Sequence, residues 1–308
     1  MISENQEPLL IVGTGAMACL FAARLSASAI PVFILGSWKE GLDTLRKNGV
    51  VLIRDNDKKQ AYPVKVIPET NHQLKIRFAI LLVKSWQTRR AAMQLCPYLD
   101  KDGLVLTLQN GVGNFETIAE IVGVERVCLG VTTLGATLLG PGRVHPAGEG
   151  VIYLSFHSRL ESLAEILRSA GFIIENVTDA TALLWGKLVI NSAINPITAL
   201  LRVPNGEVLN RKTARALLRA AALESASVAA SKGIKLPYPD PVIEAEEVAY
   251  RTSGNLSSML QDVHRGTPTE IDSICGAIVS AGEQTGVPTP INQVFYHLVK
   301  ALSVEDLT

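Results

Sequence analysis

Up to about residue 178 of this chain, short apolar runs alternate with polar turns and amphipathic stretches; beyond it, apolar residues recur at helical spacing only. Leu9-Leu10-Ile11-Val12 predicts a buried strand that runs straight into Gly13-Thr14-Gly15-Ala16-Met17-Ala18 and an Ala/Leu-rich helix. Residues 32–35 form a second apolar run, and residues 76–83 and 104–108 read as parallel strands, continuously apolar because both faces are covered. Residues 50–54 and 62–66 alternate around Asp55-Asn56-Asp57-Lys58-Lys59, which predicts a hairpin inserted in the series. Residues 127–131, 140–146 and 151–155 predict edge strands that close the sheet. The second part predicts helices over 179–201, 212–232, 241–252, 257–263, 270–285 and 291–302. Pro196 should bend the first of these just after Asn195, and Pro204-Asn205-Gly206-Glu207 reads as the turn behind it. The fold class that follows is α/β: an N-terminal Rossmann-type dinucleotide-binding domain over residues 1–178, then an all-helical C-terminal domain over residues 179–308.

Strand, glycine turn and helix at residues 9–25 carry the first chemistry. Gly13 permits the tight turn, Gly15 lets backbone approach a pyrophosphate, and Ala18 stands where a third glycine would let helix and strand pack closely. The phosphates would then meet Thr14, Ala16 and Met17 at the helix N-terminus. After the second strand an NAD site wants an acid for the adenosine ribose, but this chain has Gly36-Ser37-Trp38-Lys39. A 2′-phosphate would meet the hydroxyl of Ser37 and the cation of Lys39, so NADP (NADPH) is the expected cofactor. Trp38 reads equally as a cover for adenine or as a cap on the core. Two further strands deliver Lys84-Ser85-Trp86-Gln87 and Gln109-Asn110-Gly111-Val112-Gly113 to the edge where open α/β sheets bind ligands. Lys84 and Asn110 are therefore candidates, against a solvated lysine and an asparagine that serves only its own turn.

Residues 183–201 are almost entirely apolar except for a line of polar side chains. Positions four apart fall on one stripe at about 100° per residue, so Lys187, Asn191 and Asn195 share an arc of roughly 80°. Asparagine is a poor helix former and costly to bury unpaired; two in register with a lysine suggest convergent donors for an oxygen-rich small molecule, or else partners for neighbouring backbone. Asn255 to Asp262 and Thr269-Glu270-Ile271-Asp272 are polar too: Ser257 or Ser258 can cap one helix, and Thr269 or Pro268 can start the next with acids in its first turn.

With 29 Lys+Arg against 29 Asp+Glu, the formal net charge is zero, which gives no electrostatic case for nucleic acid or an anionic membrane and leaves a small molecule as the default partner. The polar, acidic first eight residues do not read as a secretory signal, and no apolar run reaches the roughly twenty residues that span a bilayer. Cys19, Cys96, Cys128 and Cys275 lack metal-ligand or CxxC spacing, so reduced thiols in a cytoplasm and no metal site are expected. His145 precedes a proline in a strand-like loop, and the histidines show no pairing, which disfavours a histidine-driven dehydrogenase.

These residues together resemble the ketopantoate reductase (2-dehydropantoate 2-reductase) family. The likeness runs nearly end to end: the glycine turn at 13–18, Val83-Lys84-Ser85-Trp86-Gln87, Gln109-Asn110-Gly111, the run Trp185 to Pro196, Pro204-Asn205-Gly206-Glu207, Asn255 to Asp262, and Glu270-Ile271-Asp272. The resemblance implies NADPH-dependent reduction of 2-dehydropantoate to pantoate in pantothenate and coenzyme A biosynthesis. It makes Lys187 the catalytic lysine and Glu270 the active-site glutamate. Asn110, Asn191, Asn195 and Ser258 become substrate-binding positions, with Lys84 at the border of cofactor and substrate and Asp262 supporting the site. Some members carry an arginine after the second strand for the 2′-phosphate; here Ser37 stands there, with Lys39 the nearest cation in sequence. The residues alone also fit a reductase of another 2-oxo acid, a 3-hydroxy acid dehydrogenase of the same plan, or a non-catalytic NADP-binding sensor. They leave the oligomeric state open, a homodimer included.

Overall fold

A computed structural model describes residues 7–54, 58–67, 74–157 and 159–302. The chain divides into two compact units, residues 1–109 with 114–180, and residues 110–113 with 181–308.

The first unit is a twisted α/β layer. Its early elements are β1 (Leu9–Val12), α1 (Ala16–Ala27), β2 (Val32–Leu35), α2 (Lys39–Asn48), β3 (Val50–Ile53), β4 (Lys59–Tyr62), β5 (Lys65–Val66) and β6 (Ile76–Leu81). Then come α3 (Thr88–Leu95), β7 (Leu99–Thr107), α4 (Asn114–Val122), β8 (Val127–Thr132), β9 (Ala136–Gly140), β10 (Arg143–Pro146), β11 (Val151–Ser155), α5 (Glu161–Ser169) and β12 (Ile173–Val177). The main sheet among the described residues has the order β12-β11-β8-β7-β6-β1-β2-β5. β11 is antiparallel to β8, and the strands from β8 to β5 run parallel. Neighbouring residues of its strands enter opposite cores. Leu9, Ile11, Phe78 and Ile80 pack on the α1 side, and Leu10, Val12, Ala79 and Leu81 pack with residues of α3 and α4. Burial on both faces accounts for the unbroken apolar runs.

Two expectations for this unit need correction. The hairpin is real for β3 and β4, which pair antiparallel, but the expected second arm at 62–66 starts earlier and stops at Tyr62, because Pro63 has no N–H to continue the ladder. Lys65 and Val66 instead join the main sheet beside β2; Asp55, Asn56 and Asp57 of the expected turn lie outside the described residues. Residues 140–146 do not close the main sheet: β9 and β10 form a second sheet of order β4-β3-β10-β9, in which Val51 faces Arg143 in parallel. That sheet buries Val50, Leu52 and Val144 against α1, so α1 is covered by both sheets and is apolar nearly all round.

The second unit contains α6 (Ala180–Leu201), α7 (Glu207–Asn210), α8 (Lys212–Ser231), α9 (Pro241–Arg251), α10 (Ser258–Arg265), a π-helical turn (Asp272–Gly276), α11 (Ala277–Thr285) and α12 (Pro290–Lys300). Its core joins Trp185, Val189 and Ile197 of α6 to Leu218 and Ala222 of α8, Ala249 of α9 and Phe295 of α12. Val112, from the short segment between β7 and α4, packs against the same core. The expected helix over 270–285 begins late: Glu270 lies ahead of it and the first five residues wind as a π turn, a geometry enriched at functional sites. The turn expected through Glu207 gives way at that residue to the single turn of α7. Among the described residues, no helix is long and apolar enough to cross a membrane. All four cysteines are unpaired, and burial pushes the thiols of Cys19 and Cys128 up to about 12.

Candidate active site

In the first unit the glycine turn lies at the carboxyl end of β1. The order β7-β6-β1-β2 reverses direction there, which is where doubly wound sheets open a crevice. Gly13 has φ +133°, and a Cβ on it would come within 3.0 Å of the Leu82 carbonyl oxygen, so both conformation and space demand glycine. Packing makes no such demand at Gly15, where an added Cβ would meet open space. Gly15 is the N-cap of α1 without a side-chain hydrogen bond, and no acid stands in the first turn. The leading N–H groups of α1 thus have no side-chain cap and suit a phosphate. Thr14 is buried, and its methyl lies so close to Gly36 that a Cβ there would approach to 2.8 Å. The end of β2 is thereby held against the glycine turn. Ser37, next in sequence, is exposed, and its hydroxyl accepts a hydrogen bond from Arg90 Nη2 of α3 at 2.6 Å. Lys39, the cation expected there, opens α2; the residue bonded to Ser37 is Arg90, 53 positions away and invisible to any local reading. Trp38 is stacked over Gly41, where no side chain would fit. Lys84 precedes a single helical turn, Ser85–Gln87, and its carbonyl accepts the Gln87 N–H at 2.8 Å.

Sequence reasoning passed over a buried polar chain at the ends of β6 and β7. Thr107 Oγ1 donates to Gln109 Oε1 (3.0 Å), Gln109 Nε2 donates to the Val83 carbonyl (2.9 Å) and to Thr88 Oγ1 (2.8 Å), and Thr88 Oγ1 donates to Asn114 Oδ1 (2.8 Å). One hydroxyl therefore ties together the residues on either side of the Asn110–Gly113 excursion. The only hint in the sequence was the concentration of short polar side chains after apolar strands.

In the second unit, α6 runs unbroken through Pro196, so Lys187, Asn191 and Asn195 do share a face. Gly186 makes room for the neighbouring chain: a Cβ there would lie 2.7 Å from Pro237 Cδ, and the Tyr238 hydroxyl donates to the Gly186 carbonyl at 2.9 Å. Burial lowers the pKa of Lys187 to about 8, and the charge of Glu270 pulls the opposite way. Glu270 is only 5% exposed and Asp262 only 3%. Among the described residues the side-chain amides of Asn191 and Asn195 make no hydrogen bond, although Asn195 is 93% buried, so the alternative in which they serve neighbouring backbone does not hold. Between the two serines the division is clear. Ser257 caps α10 by accepting the Leu260 N–H (3.1 Å), and it also accepts from Thr198 Oγ1 (2.7 Å). Ser258, half-buried, keeps its hydroxyl uncommitted among the described residues.

The Asn110–Gly113 segment belongs to this unit. Gly111 has φ +80°, and a Cβ on it would strike the carbonyl and hydroxyl of Ser273 at 2.5 Å; the Val112 N–H donates to the Ser273 carbonyl at 3.3 Å. Asn110 is thus carried to the π turn that follows Glu270. Within this one unit the chain brings the Asn110 loop to the Glu270 segment, sets Glu270 to act on Lys187, and joins the start of α10 to α6 one turn beyond Asn195.

A family model described as ketopantoate reductase PanE/ApbA matches residues 9–159, and its C-terminal counterpart matches residues 179–303. A 2-dehydropantoate 2-reductase of Archaeoglobus fulgidus is 36% identical, with 95% of this chain and 96% of the relative aligned. The chain belongs to the ketopantoate reductase family. One from Pyrobaculum aerophilum is 38% identical over 73% of this chain and 77% of its own length. Among solved structures, a PanE/ApbA family ketopantoate reductase from Ralstonia eutropha JMP134 has a TM-score of 0.90 at 28% identity, covering 98% of this chain and all of its own. D-mandelate dehydrogenase in ternary complex with NADH and anilino(oxo)acetate has a TM-score of 0.89, also at 28% identity, covering 96% of this chain and 97% of its own. The family is one of dinucleotide-dependent oxidoreductases, and this chain has its α/β layer followed by its helical second part.

Proposed function

We propose that this chain reduces 2-dehydropantoate (ketopantoate) to pantoate with NADPH, as a step of pantothenate and coenzyme A biosynthesis. The observation that carries the reading is one lysine drawn to a pKa of about 8 beside a buried glutamate, on the same helix face as two amides that make no hydrogen bond among the described residues. Lys187 is charged enough at neutral pH to stabilise the oxygen of the 2-oxo group as it becomes an alkoxide, and acidic enough to protonate it. Glu270 holds that proton on Lys187 or a substrate hydroxyl near it. Asn110, Asn191, Asn195 and Ser258 supply neutral hydrogen bonds for carboxylate and hydroxyl oxygens, with Asp262 supporting them. A dinucleotide fits the first unit because the α1 N-terminus lacks a cap and Gly15 is open; Gly13, Thr14, Gly15, Ala16 and Met17 would hold its phosphates and Lys84 its substrate-facing side. When bound, the reduced nicotinamide supplies the hydride for the carbonyl carbon. The first unit is thus the cofactor domain and the second the substrate domain, over the expected spans 1–178 and 179–308. Unpaired cysteines suit a cytoplasmic setting.

A second reading, a reductase of another 2-oxo acid that takes NADH, is favoured by the likeness to D-mandelate dehydrogenase. Consumption of NADPH and NADH with ketopantoate, pyruvate and 2-oxoisovalerate separates the two. The first reading expects ketopantoate with NADPH to be preferred and Lys187→Ala to lose on the order of a hundredfold to ten-thousandfold in kcat while NADPH still binds. Equal use of the simpler acids transfers the chain to the second reading; full turnover by Lys187→Ala removes Lys187 from both.

A further inference from the structure

We infer that Arg90 is the residue that recognises the 2′-phosphate of the cofactor, acting together with Ser37; this rests on the NADPH reading above. In a doubly wound sheet the adenosine ribose lies beyond the end of the second strand, here Leu35. No acid follows β2 before Glu40, so no carboxylate stands directly after the strand to accept a free 2′-hydroxyl or to repel a phosphate. The cation at this spot comes from α3: Arg90 Nη2 donates to Ser37 Oγ at 2.6 Å, with both residues exposed, directly beside the turn that Thr14 and Gly36 pack together.

The pairing makes little use of a guanidinium. Arg90 has five N–H donors and a full charge, and its hydrogen bond is to a neutral hydroxyl. Among the described residues Arg90 forms no ion pair, whereas its neighbour Arg89 is bridged to Glu120 and Arg77 to Glu7. A phosphate monoester brings nearly two negative charges and oxygens spaced for two parallel bonds from one arginine. It could take the remaining donors of Arg90 and a bond from the Ser37 hydroxyl, whose proton is free to turn outward while its oxygen accepts from Arg90. Lys39, exposed at the start of α2, adds a second cation, with Glu40 beside it the opposing charge in that first turn. A ribose without the phosphate would leave the Arg90 charge unanswered, so discrimination comes from one side chain that the linear sequence puts on a different crossover.

The test uses the full chain and two fragments without a nicotinamide, adenosine 2′,5′-bisphosphate and 5′-AMP, titrated by calorimetry, alongside NADPH and NADH titrated by fluorescence. The parent should bind the bisphosphate and NADPH more tightly than their unphosphorylated counterparts. Arg90→Ala should weaken both phosphorylated ligands on the order of tenfold to a hundredfold, as for loss of a charged hydrogen bond, and leave 5′-AMP and NADH unchanged. Arg90→Gln, which can still bond Ser37, should lose nearly as much, and Arg90→Lys should recover part of it. A parent that does not discriminate would overturn the NADPH reading and this inference with it. A parent that discriminates while Arg90→Ala does so equally well would overturn the role of Arg90 alone, leaving the NADPH reading in place. Equal weakening of all four ligands would make Arg90 a structural residue and would also overturn the inference.

Discussion

Lys187, with its pKa lowered to about 8, is mostly protonated at pH 7 and mostly neutral at pH 9. With Lys187 as the acid proposed above, reduction would need its protonated form, so kcat/KM should be flat below about pH 7 and fall roughly tenfold per unit well above pH 8. Glu270 raises the Lys187 pKa against the burial that lowers it, so Glu270→Gln should move the inflection to lower pH; a pH-rate profile that keeps its inflection would separate Glu270 from Lys187. Much at this scale was legible. Helical periodicity alone aligned Lys187, Asn191 and Asn195, because α6 is unbroken through them. The choice between Ser257 and Ser258 was not legible, since both can cap by composition and only the three-dimensional partner, Thr198, decides which one is occupied. Arg90 was hidden for the same reason, its partner lying 53 residues away.

Among the elements, the two ends of the short excursion between β7 and α4 are tied to one another through one hydroxyl. Thr88 Oγ1 accepts from Gln109 and donates to Asn114, so Thr88→Val keeps the shape and removes one hydrogen bond from each of two buried amides. The expected cost is about 1–3 kcal/mol in urea denaturation, with a raised KM for the 2-oxo acid if Asn110, which that excursion carries, holds substrate as proposed above. A variant as stable as the parent would show that water replaces the hydroxyl without loss. The strands of the main sheet were readable from apolar runs, whereas the second sheet was not. Its defining pair, Val51 with Arg143, joins segments about ninety residues apart, and short half-exposed strands carry no periodicity that names their partner. The helix over 270–285 misled for a related reason: acids at a helix start are so common that Glu270 passed for one of them.

For the whole molecule, a formal net charge of zero gives no overall field to draw a ligand in, and recognition falls to individual side chains. The change of pattern near residue 178 announced a helical second part, but not that this part also takes residues 110–113 from the middle of the α/β layer. Gly111 looked like an ordinary turn glycine; its positive φ and its approach to Ser273 appear only when the chain is folded.

That borrowed segment sets a limit on how family members can be recombined. A gene fused at residue 180 would deliver α6 to α12 from one parent and their four-residue complement from the other, setting a foreign Val112 on the core and a foreign neighbour on Ser273. Such a chimera should be less stable and slower than one in which residues 110–113 travel with residues 181–308, as thermal melts and turnover of the two hybrids would show. Matched performance would mean the loop is interchangeable. Otherwise the heritable module is a pair of separated stretches, and the helical half, cut out as residues 181–308 alone, would lack the plug that Val112 supplies.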